Sequence, residues 1–360
     1  MDQVVDSFVI VNQSNGNRII LKTKKVLITG AGGFIGKSLV RKALSLGAKV
    51  TALEIDPSKA ERLRSEFKID VILGSLLDHN NRAQALNGVD TVIHTAAIMK
   101  ESGSMEEFRR TNVDATYQLA DEAKKSKVKV FVHLSSVMVY GFHYPPYITE
   151  TGPLRGEENP YCQTKIEGEQ ALMPLNSPKK FGVIIIRPGD VYGPGSAPWV
   201  TRPLEVMDKG LFALPSGGKG IMNLTYVDNL ADAIFLAIEK DAYGEIFNIT
   251  DGKAVTWAEY FKDLANISGR PQPKSLPYIF SKGLVHVVGS FYKVIGSKSP
   301  VTAEGVDFIN RPHPVSIEKA RKMLGYKPKI SYEIGMQKIN EWLDAEGLIL
   351  HSTNSKIIKH

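Results

Sequence analysis

Three side chains near the middle of the chain carry acid–base potential. Tyr161 and Lys165 are four residues apart in Tyr161-Cys-Gln-Thr-Lys165, a spacing that puts both on one face of a helix. An ammonium beside a phenol favours the phenolate, so such a tyrosine exchanges a proton nearer neutral pH than an isolated one. Upstream, the apolar run Val128–Leu134 leads into Ser135-Ser136. A hydroxyl at the end of a strand next to that helix can hold a reacting oxygen.

A second set of residues suits the binding of an anion. Gly30, Gly33 and Gly36 recur every third residue in Thr29-Gly-Ala-Gly-Gly-Phe-Ile-Gly36, after the apolar Val26-Leu27-Ile28. Phe34 and Ile35 open an amphipathic run that continues through Leu39, Val40, Ala43 and Leu44. Strand, glycine turn and helix start together let backbone N–H groups approach a pyrophosphate. The GxxGxxG spacing is one residue off the common dinucleotide fingerprint. Glu54 ends the next apolar run, Lys49–Leu53, where an acid accepts hydrogen bonds from a ribose diol and repels a 2′-phosphate. No arginine follows directly, so the spacing favours NAD over NADP. Asp56 before Pro57 reads instead as a helix N-cap.

Positioning these groups requires a particular scaffold. Apolar runs at Asp70–Leu73, Thr91–His94, Val128–Leu134 and Gly182–Arg187 alternate with amphipathic stretches, one spanning roughly Met105–Lys125. Such alternation predicts a parallel sheet covered by helices on both faces. Ala96 and Ala97 follow His94 at a strand's C-terminal end, where open α/β sheets place ligands. His94 itself reads as a buried, hydrogen-bonded strand-end residue.

Composition narrows the classes further. With 43% hydrophobic and 23% charged residues and no low-complexity tract, the chain has the make-up of a globular protein. One cysteine, Cys162, excludes an internal disulfide and a cysteine-based zinc site, so no metal is expected; Cys162 reads as a small packed residue. The net charge of +7 is dispersed, which argues against a nucleic-acid footprint. The absence of a signal-peptide pattern and of a long apolar run predicts a cytoplasmic protein.

Taken together, Thr29–Gly36, the Tyr161/Lys165 pair, Arg187-Pro-Gly-Asp-Val-Tyr-Gly-Pro194 and Tyr226-Val-Asp-Asn229 resemble the extended short-chain dehydrogenases/reductases, the NAD-dependent epimerase/dehydratase superfamily. The resemblance runs from Lys25 to about residue 346. It implies a doubly wound parallel Rossmann sheet (residues 25–188 plus 222–250) and a smaller, mainly helical C-terminal substrate lobe (189–221 plus 251–346). An N-terminal extension, 1–24, holds a hairpin signal at Asn15-Gly16, and 347–360 form a tail.

Carried over residue by residue, the resemblance makes Tyr161 the acid/base, Lys165 the residue that holds the nicotinamide ribose and lowers the Tyr161 pKa, and Ser136 the holder of the substrate oxygen. Asn112 takes the mid-helix position that shapes the site. Cofactor contacts are expected from Gly30, Gly33, Phe34, Ile35, Gly36, Glu54, Ser75, Leu76, Ala96, Ala97, Ser135, Tyr161, Lys165, Pro188 and Val191. Ser75 departs from the aspartate usual at the adenine, so that contact is weaker or comes from the Leu76 backbone. A homodimer through the helices at 105–125 and 161–175 is a further implication.

The substrate half points toward apolar chemistry. Nucleotide-sugar members usually carry Asn where Asp190 stands, and an arginine ahead of Tyr226-Val-Asp; here the segment is Asn223-Leu-Thr-Tyr226. These features, with Phe247–Gly252 and Ser316–Tyr326, resemble the 3β-hydroxysteroid dehydrogenase branch. That implies interconversion of a secondary alcohol and a ketone on a sterol- or acyl-like substrate. The alternative is a nucleotide-sugar epimerase or dehydratase on the same scaffold. Leu276–Ile295 is apolar with interspersed Lys282, His286 and Lys293; it reads as a core helix of the lobe, or alternatively as a peripheral membrane-surface helix admitting an apolar substrate.

Overall fold

The computed structural model describes residues 24–99, 103–156, 159–277 and 303–350. Its main sheet contains β1 (Lys25–Thr29), β2 (Lys49–Glu54), β3 (Asp70–Leu73), β4 (Thr91–His94), β5 (Val130–Leu134), β6 (Gly182–Pro188) and a seventh strand, Ile246–Ile249. All neighbours pair in parallel. Alternate residues of each strand enter different cores. Val26, Ile28, Val132 and Ile186 pack in one apolar cluster, and Leu27, Phe131, Val183 and Ile185 in another on the opposite face. That two-sided burial is why these strands read as unbroken apolar runs.

Helices α1 (Phe34–Ser45) and α2 (Pro57–Phe67) connect β1 to β2 and β2 to β3; α3 (His79–Ala85) leads back to β4. In space the order is the seventh strand, β6, β5, β4, β1, β2, β3. The chain therefore reverses its direction of growth between β1 and β4, and the loops after those two strands flank the crevice where such sheets bind ligands.

The expected helix over 105–125 forms with an interruption. Helix α4 (Met105–Arg109) passes through a π-turn (Arg110–Asp114) into α5 (Ala115–Lys125). Next come a 3₁₀ turn (Val137–Tyr140) and α6 (Pro160–Leu172). Asp56 caps α2 by accepting the Ser58 and Lys59 N–H groups, with Pro57 in its first turn.

Beyond β6 the chain makes short strands β7 (Asp190–Tyr192), β8 (Ala213–Pro215), β9 (Ile221–Met222) and β10 (Leu224–Tyr226), with helices α7 (Arg202–Asp208), α8 (Val227–Glu239) and α9 (Trp257–Ser268). β7 pairs with β10. Three further helices, Ala303–Ile309, Glu318–Leu324 and Tyr332–Ala345, complete the described lobe. Trp257, Tyr260, Leu264 and Ile339 share the first apolar cluster with Ile186 and Val26, so the lobe and one face of the sheet have a common core.

The expected N-terminal hairpin, most of the 276–295 segment and residues 351–360 lie outside the described residues. Among the described residues no helix is long and apolar enough to cross a membrane, and no group of metal-ligating side chains forms.

Candidate active site

The glycine turn is built on close backbone approach. Gly30 takes φ +64°, and a Cβ there would stand 3.0 Å from the Ala96 Cα in the loop after β4. At Gly36 a Cβ would meet the Gly30 carbonyl oxygen at 2.3 Å and Ala31 at 2.7 Å. Only glycine lets the first turn of α1 sit that near the strand end. Gly33 is the N-cap of α1 and offers no capping side chain, and the first turn has no acid. The Gly33 N–H itself donates to the Gly30 carbonyl at 3.0 Å, but no side chain caps the N–H groups that follow it, and the local charge does not oppose an anion there.

Glu54 stands at the end of β2, buried beside this turn. Its Oε2 accepts the Gly32 N–H at 2.8 Å, and its Oε1 accepts those of Ile55 and Asp56 at 3.0 and 3.1 Å. The carboxylate braces the loop at the place where sequence reasoning puts the ribose. Further along the same edge, the Ser75 hydroxyl accepts the Leu77 N–H, and the Leu76 carbonyl accepts Arg82 Nη1 at 2.9 Å. The Leu76 carbonyl is thus already engaged within the protein. Cradle, helix N-terminus and acid together fit an NAD-type dinucleotide.

Ser136, Tyr161 and Lys165 converge on one side of the crevice. The Ser136 side chain N-caps the 3₁₀ turn, accepting the Met138 N–H at 3.1 Å, and its hydroxyl is near enough to the Tyr161 phenol to favour the ionised form. Asn159 accepts the Tyr161 and Cys162 N–H groups and so fixes the first turn of α6. Lys165 Nζ lies 5.7 Å from the Tyr161 ring centroid and donates to the Leu134 carbonyl at 2.7 Å. Burial pushes the Tyr161 phenol up to about 12, with the neighbouring Ser136 hydroxyl pulling it back down. Burial lowers Lys165 to about 8, opposed by the Glu169 carboxylate. Desolvation thus sets the direction at Tyr161, opposite to the lowering by Lys165 that the sequence predicts.

Asn112 occupies the π-turn. Its Oδ1 accepts the Ile98 N–H at 2.8 Å, and its Nδ2 donates to the Ile98 carbonyl and to Thr164 Oγ1. One amide thus ties the loop after β4 to α6, and the π-turn supplies the local widening, a common use of such turns. Pro188 ends β6 and Val191 lies within β7, both close in sequence to the buried Asp190. His94 behaves as expected: it is buried, held by Thr29 Oγ1 at 2.8 Å and Thr116 Oγ1 at 2.9 Å. Ser135 differs from Ser136 in direction, since its hydroxyl donates to Glu169 at 2.5 Å rather than facing the phenol.

Sequence reasoning singled out Arg187 and Asp190 but missed their buried partners, Glu169 and Arg311. Glu169 and Arg187 form a buried ion pair (Nη2–Oε2 2.5 Å), and Asp190 and Arg311 form a second (Nη2–Oδ2 2.7 Å). Arg187 carried a signal, because a lone charge inside Gly182-Val-Ile-Ile-Ile-Arg187 must find a buried partner. Arg311 carried none.

Against known families, residues 26–250 match the model described as the NAD-dependent epimerase/dehydratase family. The chain belongs to that family. It is therefore an NAD-dependent enzyme. Among its relatives is a decarboxylating sterol-4-alpha-carboxylate 3-dehydrogenase of Dictyostelium discoideum, 29% identical over 88% of this chain and 100% of the relative. A 3-beta-hydroxysteroid dehydrogenase of Mycolicibacterium neoaurum is 29% identical over 87% and 89% of the two chains. Among solved structures, UDP-glucuronic acid 4-epimerase from Bacillus cereus in complex with NAD superposes with a TM-score of 0.71, covering 89% of this chain and 99% of that one at 22% identity. That last likeness is one of fold.

Proposed function

We propose that this enzyme interconverts a secondary alcohol and a ketone on an apolar, sterol- or acyl-like substrate. Bound NAD supplies the hydride acceptor. The protein supplies the rest: Tyr161 exchanges the hydroxyl proton, Ser136 holds the same oxygen, and Lys165 stabilises the phenolate with its positive charge. The closeness of the Ser136 hydroxyl to the Tyr161 phenol supports this assignment, since one substrate oxygen can bridge two neighbouring hydroxyls. With its phenol held high by burial, Tyr161 needs that neighbouring positive charge to give up its proton.

The observation that carries the apolar reading is the Asp190–Arg311 pair. Arg311 is 1% exposed and reaches the turn that follows Ser136, with Nη1 4.0 Å from Met138 Sδ. Its Nη2 is spent on Asp190 and its Nε on the Phe308 carbonyl at 3.0 Å. Its cation also lies 4.0 Å from the Phe308 ring centroid. Burial pushes the Asp190 carboxyl up against the pull of Arg311. An arginine satisfied in this way offers little to a substrate diphosphate. The names of the sterol relatives support the same reading.

The test is a panel of hydroxysteroids and β-hydroxy acids beside UDP-sugars, followed by NADH absorbance and by product analysis. Stoichiometric NADH formation with the apolar alcohols is expected. Conversion of a UDP-sugar with no net change in NADH would replace this reading by the epimerase one.

A further inference from the structure

Two buried charged side chains not used in the acid–base assignment lie next to it. Glu169 is one helical turn beyond Lys165 on α6, and Arg187 immediately precedes Pro188 on β6. They are 3% and 1% exposed. The Glu169 carboxylate accepts Arg187 Nε at 2.8 Å and Nη2 at 2.5 Å, as well as the Ser135 hydroxyl at 2.5 Å. Arg187 Nη1 continues to the Tyr140 hydroxyl at 2.7 Å and to the Glu150 carbonyl. Tyr140 in turn donates to Asn248 Oδ1 at 2.7 Å.

The three donors and acceptors meeting at Glu169 come from three elements. Helix α6 carries Tyr161 and Lys165, the end of β5 leads into Ser136, and β6 ends at Pro188. Burying two charges costs free energy that the pair only offsets, so its presence is weak evidence for a stability role alone. A bidentate guanidinium–carboxylate contact is, however, directional. We propose that Glu169 and Arg187 are positioning residues, holding β5, β6 and α6 in the register that brings the Ser136 hydroxyl, the Tyr161 phenol and the Lys165 ammonium onto one reacting oxygen. The proposal rests on the acid–base roles given above.

A second consequence is electrostatic. Lys165 faces Tyr161 and Glu169 on its own helix, His94 on β4, and His133 and the Leu134 carbonyl on β5. Burial, with a smaller push from Lys165 itself, lowers both histidines, His94 to about 3, so they stay neutral. Glu169, itself shared with the Arg187 cation, is the carboxylate that opposes the loss of the Lys165 charge.

The test compares Glu169→Gln and Glu169→Asp with the wild type and Tyr161→Phe. Glu169→Gln is expected to lower kcat at least about tenfold with KM within about twofold, and Glu169→Asp to recover most of that loss. A structural role alone would lower thermal stability without this split. Independently of turnover, the carbon-13 Cε signal of Lys165, assigned by its loss in Lys165→Arg, reads the ammonium directly. Its midpoint should fall by about one pH unit in Glu169→Gln and stay in place in Glu169→Asp. Should Glu169→Gln not fold, Ser135→Ala removes one hydrogen bond to the same carboxylate, and kcat should fall at least about threefold at unchanged KM. Wild-type kcat and an unmoved Lys165 midpoint in Glu169→Gln overturn the proposal, as does wild-type kcat in Ser135→Ala. If Tyr161→Phe turns over normally, the acid–base roles fall first; if it is inactive while Glu169→Gln behaves as wild type, only the positioning role falls.

Discussion

His133 gives the most quantitative prediction about the fold. It is 2% exposed on β5 and stacks on His94 with centroids 5.6 Å apart; among the described residues neither of its ring nitrogens has a hydrogen-bond partner. Burial, then the Lys165 charge, then His94 hold it well below its ordinary 6.5. His94 is depressed to about 3, again mainly by burial. In the unfolded chain both histidines take up protons near 6.5, while in the folded protein they do not. Their folded values being depressed, the stability they contribute is present above about pH 6.5 and drains away as pH falls towards the folded values. Between about pH 7.5 and about pH 5.5 each costs on the order of 1 kcal/mol, and the two together roughly twice that. Replacing His133 by leucine, of similar volume, removes one of these terms and also two unmatched polar atoms. Urea unfolding at the two pH values should show His133→Leu losing on the order of 1 kcal/mol less than the wild type on acidification. At the higher pH its stability should be equal or raised by about 1 kcal/mol. Equal acid losses in the two proteins would refute the buried, neutral placement of His133.

Three further outcomes follow from particular contacts. Gly36→Ala places a Cβ 2.3 Å from the Gly30 carbonyl oxygen, so NADH affinity measured by fluorescence titration should drop at least about tenfold; wild-type affinity would mean the turn has room to spare. Glu54→Gln should reduce the preference for NAD over NADP, read as a ratio of kcat/KM, by roughly tenfold, and an unchanged ratio would show that another group reads the ribose. Asp190→Asn leaves the Arg311 guanidinium buried opposite a neutral amide, and urea unfolding should register a loss of about 3 kcal/mol. No change there would mean that the pair does not form in solution.

Much of this was legible in the chain because of local rules. Buried parallel strands are apolar on both faces, so Val26–Ile28 and Gly182–Ile186 announce themselves. The Gly30 turn, the Asp56 cap and the Tyr161/Lys165 spacing all act over a few residues. What sequence spacing does not carry is pairing across the fold. Glu169 meets Arg187 only because α6 lies over the β5 and β6 ends, and Arg311 reaches Asp190 from 121 positions away. The π-turn at Asn112 was hidden for a different reason. An α-helical period continues on both sides of it, and one extra residue per turn is within the tolerance of any periodicity argument. Ser135 and Ser136 were adjacent candidates, and their opposite directions emerged only once Glu169 was seen to take the Ser135 hydroxyl.

The claim at the centre of this account is that Tyr161 moves the proton on the reacting oxygen. Tyr161→Phe removes one hydroxyl from a ring that stays packed on α6, so turnover of the best alcohol from the substrate panel, followed through NADH absorbance, measures that claim directly. The account predicts loss of at least about a hundredfold in kcat with NAD affinity within a few-fold of the wild type. Turnover at the wild-type rate would contradict it.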